Sequence, residues 1–232
     1  RNAGIAVASA AVIAFHDSDD LALPGRLTTP VAALHADPEL DFVILNGRLL
    51  PPDDDPTRPE APWIAPAVAA QLVRRPLDAL DVFQWNLGQL QGICITRRAL
   101  DAVGPLDGSF TILDDLDLML RVAARGRGCF IDLPAFAYRQ HAGGIARDRL
   151  RLREESIALA DKLARLHPEV VERLGRQRFA RRQARRWSRV ARMRATAGDR
   201  AGAATAWMSA RALAPLHLGY VWGALRCRWQ RG

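Results

Sequence analysis

The sequence predicts an α/β domain followed by an all-helical segment. Two apolar runs, residues 12–15 and 41–45, are rich in β-branched side chains and are typical of short buried strands. Alanine-rich and amphipathic stretches separate and follow these runs, and they favour helices. After about residue 145 only the helical pattern continues. We therefore predict two domains, residues 1–145 and residues 146–232.

Charge is distributed unevenly along the chain, which carries a formal net charge of +8 over 232 residues. Residues 1–150 contain 14 Arg and 19 acidic side chains, a balance of −5. Residues 151–232 contain 18 Arg and one Lys against 6 acidic side chains, a balance of +13. An acidic first part joined to a basic second part indicates two functional zones.

The spacing of the cysteines gives no sign of a domain stabilised by disulfide bonds or by zinc. Cys94, Cys129 and Cys227 are widely spaced, and the sequence has no CxxC pair or Cys/His cluster. This pattern favours neither a disulfide framework nor a zinc site. We expect a reducing, cytoplasmic compartment. No apolar run reaches the roughly 20 residues that a membrane-spanning helix needs.

The first predicted strand ends in a group of carboxylates. A helix over residues 5–11 leads into the strand at 12–15 and then into Asp17, Asp19 and Asp20. Ligands of α/β domains bind beyond the carboxyl ends of strands. Carboxylates gathered there are costly unless a cation meets them, and Mg²⁺ or Mn²⁺ binds a few carboxylates while leaving positions for phosphates. The alternative is a solvated turn, because Asp and Ser are also good turn residues.

The elements that follow say less about function. In order, we predict a helix over residues 23–35, the strand at 41–45, a proline-rich loop over 50–66, a strand over 89–96 and a short helix at 97–104. The aspartates at 53–55 lie in that loop and are interpreted as solvated surface, because no apolar residue positions them. A last strand, 130–134, is predicted to end at its proline.

A second acidic group begins the most regular predicted helix, residues 114–125. Asp114, Asp115 and Asp117 all favour the helix dipole, and one of them suffices to cap the helix. The others repel each other unless Arg121, four residues after Asp117, or a ligand compensates them. A carboxylate at such a helix start is a candidate general base.

Four motifs occur in a recognisable order. Arg-Asn-Ala-Gly at residues 1–4 precedes a strand that ends in His-Asp-Ser-Asp-Asp at 16–20. Next come Gly92 with Arg-Arg and Val-Gly-Pro-Leu-Asp at 97–107, then Asp-Asp-Leu-Asp-Leu with Arg121, then Tyr-Arg-Gln-His ending at residue 141. In this order the motifs resemble those of family 2 glycosyltransferases. The resemblance covers residues 1–145 and implies a GT-A-type, Rossmann-like nucleotide-sugar transferase sheet.

The resemblance implies a role for each matched residue. The implied ligands of a Mg²⁺ or Mn²⁺ cofactor are Asp17, Asp19, Asp20 and His141. For His141 the alternative is a loop histidine bonded to backbone. The implied catalytic residues are Asp115, as the base that deprotonates the acceptor hydroxyl, and Asp114. The implied contacts with the donor or the acceptor are Arg1, Asn2, Asp17, Gly92 and Arg121.

Departures from the family pattern affect these expectations. His16 stands where the family usually has an apolar residue, and Asp114 replaces a Glu that is one methylene longer. The family also begins with a strand–loop–helix–strand unit that binds the base and the ribose, and the sequence contains no counterpart of it. We therefore expect a sheet that lacks its first strands, an N-terminally truncated chain, and reduced or no activity.

The expected function is transfer of a sugar from a nucleotide-diphosphate sugar donor to a hydroxyl group, with inversion, in cell-wall or polysaccharide biosynthesis. The acceptor class is open between a saccharide, a lipid-linked molecule and a protein. The alternative is a non-enzymatic remnant whose basic helices bind an anionic membrane surface or nucleic acid. Metal-dependent binding of the donor distinguishes the two.

The basic stretch at residues 178–194 has three open roles. As a helix it places Phe179, Ala184, Trp187 and Val190 on one side. It is either a helical cap with solvated or paired arginines, a peripheral contact at the inner face of the membrane, or an arginine-rich contact with nucleic acid. We favour these roles in that order and place nucleic acid last.

Overall fold

The computed structural model describes residues 1–50, 61–139 and 148–229, with side chains described as far as residue 223. The chain divides into two compact units, Arg1–Gly144 and Ile145–Gly232. The first unit is mixed α/β and the second is helical. The α/β class and the helical C-terminal part are therefore as the sequence predicts.

The first unit alternates short strands and helices. Its strands are β1 (Val12–Ala14), β2 (Leu21–Ala22), β3 (Phe42–Leu50), β4 (Ala61–Pro62), β5 (Ile93–Thr96) and β6 (Gly128–Arg139). Its helices are α1 (Asn2–Val7), α2 (Thr28–Ala36), α3 (Pro66–Leu72), α4 (Ala79–Trp85), α5 (Arg97–Val103) and α6 (Asp114–Arg125). A 3₁₀ turn, Leu90–Gly92, leads into β5.

The strands form one curled, mixed sheet in the order β1-β5-β3-β6-β2, with β4 paired to β3. Strands β3 and β6 are parallel, and the other pairs are antiparallel. Strand β3 lies between β5 and β6, so residues 42–46 are buried. Its side chains Val43 and Leu45 pack with Leu34 of α2 and with Cys94 of β5. This placement explains the continuous apolar run that predicts the strand.

Two predicted helices are shorter than expected. Helix α1 ends at Val7 and not at residue 11. At this end of the helix, the side chain of Arg97 donates hydrogen bonds to the carbonyl oxygens of Ile5 and Ala8. Helix α2 begins at Thr28, because Leu21 and Ala22 pair with β6 and a turn at Gly25, with a φ of 85°, follows them. Tertiary pairing overrides helix propensity at both places.

Strand β6 passes through Pro134, where the sequence predicts an end. The register of β3 and β6 shifts between Leu45 and Asn46, so Pro134 lies at an irregularity of the ladder. Proline has no backbone N–H to donate, and such irregularities are where sheets accommodate it. The buried side chain of Asn46 bonds residues of both strands at this irregularity. Its Oδ1 accepts from the N–H groups of Gly47 and Ile64 at 2.9 Å each, and its Nδ2 donates to Asp132 Oδ1 at 2.7 Å.

Beyond the irregularity, Phe136 of β6 fits against two glycines. A Cβ at Gly92 would lie 2.7 Å from Phe136 Cε1 and 2.8 Å from the carbonyl oxygen of Leu45, and a Cβ at Gly47 would overlap the same ring. Only glycine therefore allows this approach at either position. The fit carries β6 on to Tyr138 and Arg139, next to the loop that follows β1.

The second unit contains helices α7 (Arg149–Leu166), α8 (Pro168–Leu174), α9 (Arg176–Thr196), α10 (Arg200–Leu213) and α11 (Leu218–Trp229). Ile157, Val190, Ala191 and Ala206 form one buried cluster, and Ala184, Ala210 and Tyr220 form another. Gly223 lets α11 approach the ring of Trp207, because a Cβ there would lie 2.5 Å from Trp207 Cδ2. No helix within the described parts of the chain combines the length and apolarity that crossing a membrane requires.

Candidate functional site

Arg1 joins the two acidic groups that the sequence singles out. Its Nη2 donates to both carboxylate oxygens of Asp17, at 2.9 and 3.1 Å, and its Nη1 donates to both of Asp114, at 3.0 and 3.1 Å. The loop after β1 and the first residue of α6 therefore meet, although 97 positions separate Asp17 from Asp114. We call Asp17, Asp20, Asp114 and Asp115 the acidic cluster.

The two-sided ion pair also sets the charge state of Arg1. Burial lowers the pKa of the guanidinium, but the hydrogen bonds and charges of Asp17 and Asp114 outweigh burial and raise the pKa above its ordinary value. Arg1 is thus a fixed positive charge between two carboxylates. About a third of its side chain remains exposed, as does about a third of that of Asp17.

Gln91 forms a second bridge within the acidic cluster. Its Nε2 donates to Asp17 Oδ2 at 2.8 Å and to Asp20 Oδ2 at 2.5 Å. The backbone N–H of Arg139, at the end of β6, donates to the other oxygen of Asp20 at 2.9 Å. The 3₁₀ turn before β5 and the end of β6 therefore hold the loop after β1 from two directions.

Asp20 is buried, with 6% of its surface exposed. Burial raises the pKa of its carboxyl, and the hydrogen bonds from Arg139 and Gln91 lower it. The charges of Asp19 and Asp17 raise it further, and the net direction is upward. Burial is therefore the main reason that the carboxyl of Asp20 resists ionisation, and the charges of its two neighbours add to that effect.

Asp115 has the most perturbed carboxyl of the cluster. The N-cap of α6 is Leu113, so Asp114 and Asp115 are the first two helical residues, and no side chain caps the helix. Asp115 Oδ1 accepts from the backbone N–H of Leu116 at 2.6 Å. Burial of the carboxyl, followed by the charges of Asp114 and Asp17, raises the pKa of Asp115 to about 7, against the lowering effects of that hydrogen bond and of Arg1.

A close backbone contact fixes the start of α6. A Cβ at Gly88 would lie 2.7 Å from Leu116 Cα and 2.9 Å from its backbone nitrogen. The segment between α4 and the 3₁₀ turn therefore touches the helix directly after Asp115 and before Asp117. Gln91 lies in the 3₁₀ turn that directly follows this segment, so neighbouring residues position both halves of the acidic cluster.

Three other predicted site residues are engaged with backbone groups. Asn2 exchanges two hydrogen bonds of 2.9 Å with the backbone of Leu106. Arg121 bonds Asp117 Oδ2 at 2.9 Å, and it donates to the carbonyl oxygens of Val103 and Pro105 at 2.7 and 2.9 Å. Gly92 lies under Phe136. These contacts hold the segment after α5 and the sheet, while direct contact with a substrate stays a prediction for all three.

The predicted metal ligands are brought together only in part. Asp17 and Asp20 share Gln91, and Asp19 lies between them with an exposed side chain. His141 lies outside the described residues. Within the described ranges, no group of three or more His, Cys, Asp or Glu side chains is arranged to hold a metal ion.

Gln91 and Tyr138 are neighbours of the cluster that the sequence did not assign to it. Burial, and then the charges of Asp20, Asp19, Asp17 and Asp115, raise the pKa of the Tyr138 phenol. Trp63 packs edge-on against Tyr138, with ring centroids 5.5 Å apart. The Tyr-Arg-Gln-His motif contains Tyr138 and could have indicated its place in the site. No motif contains Gln91, whose side chain reaches Asp17 and Asp20 from the 3₁₀ turn.

Arg26 supports the loop after β1 from inside the protein. It is 5% exposed, and its Nη2 donates to the carbonyl oxygens of Phe15 and Ile93 at 2.9 and 3.0 Å. Its Nη1 donates to Cys94 Sγ at 3.3 Å. A buried guanidinium that binds the carbonyl of Phe15 fixes the point at which the strand gives way to the acidic residues.

No protein-family model matches the sequence, and no curated protein matches it.

Proposed function

We propose that the first unit is part of an inverting, metal-dependent glycosyltransferase of the GT-A type, with a sheet that lacks the family's first strands. It transfers a sugar from a nucleotide-diphosphate sugar to a hydroxyl group of a saccharide, a lipid-linked molecule or a protein. The observation that carries the proposal is the bridge from Asp17 through Arg1 to Asp114. It joins the donor-side and acceptor-side motifs of the resemblance at one place.

The carboxylates of the loop after β1 supply part of a divalent-cation site, which the oxygens of a diphosphate would complete. Carboxylate oxygens are the donors that Mg²⁺ and Mn²⁺ prefer, and two or three suffice when phosphate oxygens supply the rest. Burial, and after it the charges of Asp19 and Asp17, raise the pKa of Asp20, and a bound cation would oppose these effects. Asp17 and Asp19 would hold the cation, with Asp20 and His141 as the further proposed ligands. The bound ion would neutralise the charge that develops on the leaving diphosphate.

Asp115 is the proposed base. A carboxyl with a pKa of about 7 is a stronger base than an ordinary aspartate, and near pH 7 a large fraction of it is ionised. Its carboxylate accepts the proton of the acceptor hydroxyl while that oxygen forms a bond to the anomeric carbon. The bond from the anomeric carbon to the phosphate oxygen breaks, and its electron pair leaves with the nucleoside diphosphate. Attack from the face opposite the leaving group inverts the anomeric centre.

Arg1 and Asp114 complete the proposed site. Without substrate, the guanidinium of Arg1 is shared by two carboxylates. A diphosphate that approaches Asp17 offers Arg1 a competing anion with matching fork geometry. Asp114 then loses its partner and is available to orient the acceptor beside Asp115. Arg1 is therefore proposed as a donor contact that changes partners when the substrate binds.

Calorimetric titration of uridine or guanosine diphosphate with Mn²⁺ into the intact chain tests the proposal. We expect saturable binding that requires Mn²⁺ and that weakens at least about tenfold in Asp19→Ala. Asp101→Ala removes a carboxylate from an exposed position on α5 and is the matched control, with binding unchanged. Absence of binding by the folded chain, or equal binding by Asp19→Ala, would contradict the proposal and favour a non-enzymatic role.

A further inference from the structure

The second unit contains a pocket of about 420 Å³ between the first half of α9 and the turn that joins α10 to α11. The side chains that matter for its chemistry are Gln177, Arg181, Arg185, Leu216, His217 and Tyr220. Tyr220 is buried against Ala184 and Ala210. The ring of His217 stacks on Tyr220 with centroids 3.8 Å apart, so the pocket has a packed aromatic wall.

The pocket is positively charged. Arg181 and Arg185 are exposed and stand one helical turn apart on α9. Neither side chain forms an ion pair with a carboxylate among the described residues, and no lining residue is acidic. Burial, followed by the charges of Arg178 and Arg185, lowers the pKa of the neighbouring Arg182. The arginines of this helix therefore repel one another, and an anion would relieve the repulsion.

Large apolar side chains are exposed in the turn that lines the pocket and at the start of α11, and Leu216 lines the pocket together with the two arginines. Leu216 is 93% exposed, Leu218 is 74% exposed and Trp222 is 65% exposed. All three belong to the same turn and the first half of α11. An exposed apolar group next to a basic one is typical of segments that lie at a lipid–water interface.

We propose that this pocket, together with the exposed side chains of Leu216, Leu218 and Trp222, forms a docking site for the surface of an anionic lipid bilayer. Arg181 and Arg185 bind the phosphate of a lipid headgroup, and Leu216, Leu218 and Trp222 enter the boundary between headgroups and acyl chains. A bilayer offers a partner to both parts of this surface, because its headgroup phosphates bind arginines and its acyl chains take up apolar side chains. A free anion or a nucleic acid would engage the arginines and leave the leucines and the tryptophan in water. The site lies within the second unit and does not depend on the proposed transferase activity.

Vesicle flotation with the intact chain tests this site. Vesicles of phosphatidylcholine alone are compared with vesicles that contain about 30 mol% phosphatidylglycerol, at about 0.15 M salt, where charges more than ~8 Å apart are screened. We expect binding to the anionic vesicles only. Arg181→Glu with Arg185→Glu should lower the partition coefficient at least about twentyfold. Leu216→Ser should lower it at least about fivefold.

Matched controls separate this pocket from the general charge of the helix. Arg189→Glu with Arg192→Glu makes the same charge change at two exposed positions of α9 that do not line the pocket. Leu166→Ser removes a half-exposed leucine at the end of α7. Both controls should change the partition coefficient by less than about threefold.

Several results would overturn the proposal. Equal binding to neutral vesicles would refute the role of the arginines, and an equal loss in the Arg189/Arg192 control would refute the role of the pocket. Absence of vesicle binding, together with binding of inorganic phosphate or of a short RNA that Arg181→Glu with Arg185→Glu abolishes, would identify an anion or nucleic-acid site instead. Concentration-dependent dimerisation that Leu216→Ser abolishes, without vesicle binding, would identify a contact between copies of the chain.

Discussion

Asp115 lies where its neighbours disfavour its charge. The residue is half-buried, and the charges of Asp114 and Asp17 act on its carboxyl from both acidic segments. A single hydrogen bond from Leu116 N–H, with the charge of Arg1, opposes these effects. The same surroundings that make Asp115 a suitable base also make it a source of instability at neutral pH.

Asp115→Asn should therefore stabilise the metal-free protein in a pH-dependent way. The folded state holds the proton up to a pKa of about 7, whereas the unfolded chain releases it near the ordinary aspartate pKa of 3.8. Stability from this group is present below pH 4, falls as the pH rises to 7, and stays low above. At pH 8 the variant should exceed the wild type by about 2–4 kcal/mol in the free energy of unfolding. Denaturant titrations at pH 4 and pH 8 measure the difference, and an equal difference at both values would contradict the raised pKa.

The same substitution should abolish turnover and spare binding. In an assay of sugar release or transfer, the wild-type rate should rise with pH through about 7, because only ionised Asp115 accepts the proton. Asp115→Asn should lower the rate about 10²–10⁴-fold, while diphosphate binding with Mn²⁺ changes less than about threefold. Asp101→Asn is the control. A rate that is independent of Asp115 would assign the base to another residue.

The side-chain amide of Gln91 donates hydrogen bonds to the carboxylates of Asp17 and Asp20 and so offsets the repulsion between them. Gln91→Glu removes both donated hydrogen bonds and adds a charge beside Asp17 and Asp20 at a position only 3% exposed. The free energy of unfolding should fall by about 2–4 kcal/mol at pH 8 and recover in part near pH 4. Gln89→Glu makes the same change two positions earlier in the same segment and should have a much smaller effect. Thermal unfolding of both variants at the two pH values decides the matter.

At the scale of elements, the start of α6 depends on one glycine. Gly88→Ala places a methyl group against the backbone of Leu116, which cannot yield as a side chain can. The helix start must shift and carry Asp114 and Asp115 with it. We expect a loss of about 2–3 kcal/mol in unfolding free energy and a lower rate of transfer. Gly108→Ala, where a Cβ would meet nothing within 4 Å, is the control and should be close to neutral.

The elements also show how far the sequence determines the fold. The apolar run of β3 and the acidic, amphipathic start of α6 are local signals; α6 forms at the predicted residues, and β3 forms at the predicted run and continues to Leu50. The end of β6 is different, because the strand continues through Pro134 at an irregularity where Asn46 of β3 bonds Asp132 of β6. This bond joins residues 86 positions apart, and no local pattern reveals it. The bonds from Gln91 to Asp17 and Asp20 are equally non-local.

At the scale of the whole molecule, the distribution of charge along the sequence predicts the division into two parts. The balance changes from −5 over residues 1–150 to +13 over residues 151–232, and the chain divides into two units at residues 144 and 145. Composition alone could not distinguish the arginines that pair with acids, such as Arg194 with Glu154 at 2.5 Å, from Arg181 and Arg185. That distinction requires the turn between α10 and α11.

The two proposed functions should be separable in the intact chain. Arg181→Glu with Arg185→Glu should abolish binding to anionic vesicles and leave the Mn²⁺-dependent affinity for a nucleoside diphosphate within about twofold. Asp19→Ala should have the opposite effect, because it alters only the acidic loop of the first unit. Measuring both activities on both variants tests the separation. A double loss in either variant would mean that the units act as one.

The most direct measurement of the central claim is anomalous diffraction from crystals of the intact chain grown with Mn²⁺ and uridine or guanosine diphosphate. We expect a manganese peak bonded to Asp17 and Asp19 and to phosphate oxygens, with the guanidinium of Arg1 moved from Asp17 and Asp114 to the diphosphate. A manganese peak elsewhere, or a diphosphate that binds away from the acidic cluster, would contradict the account.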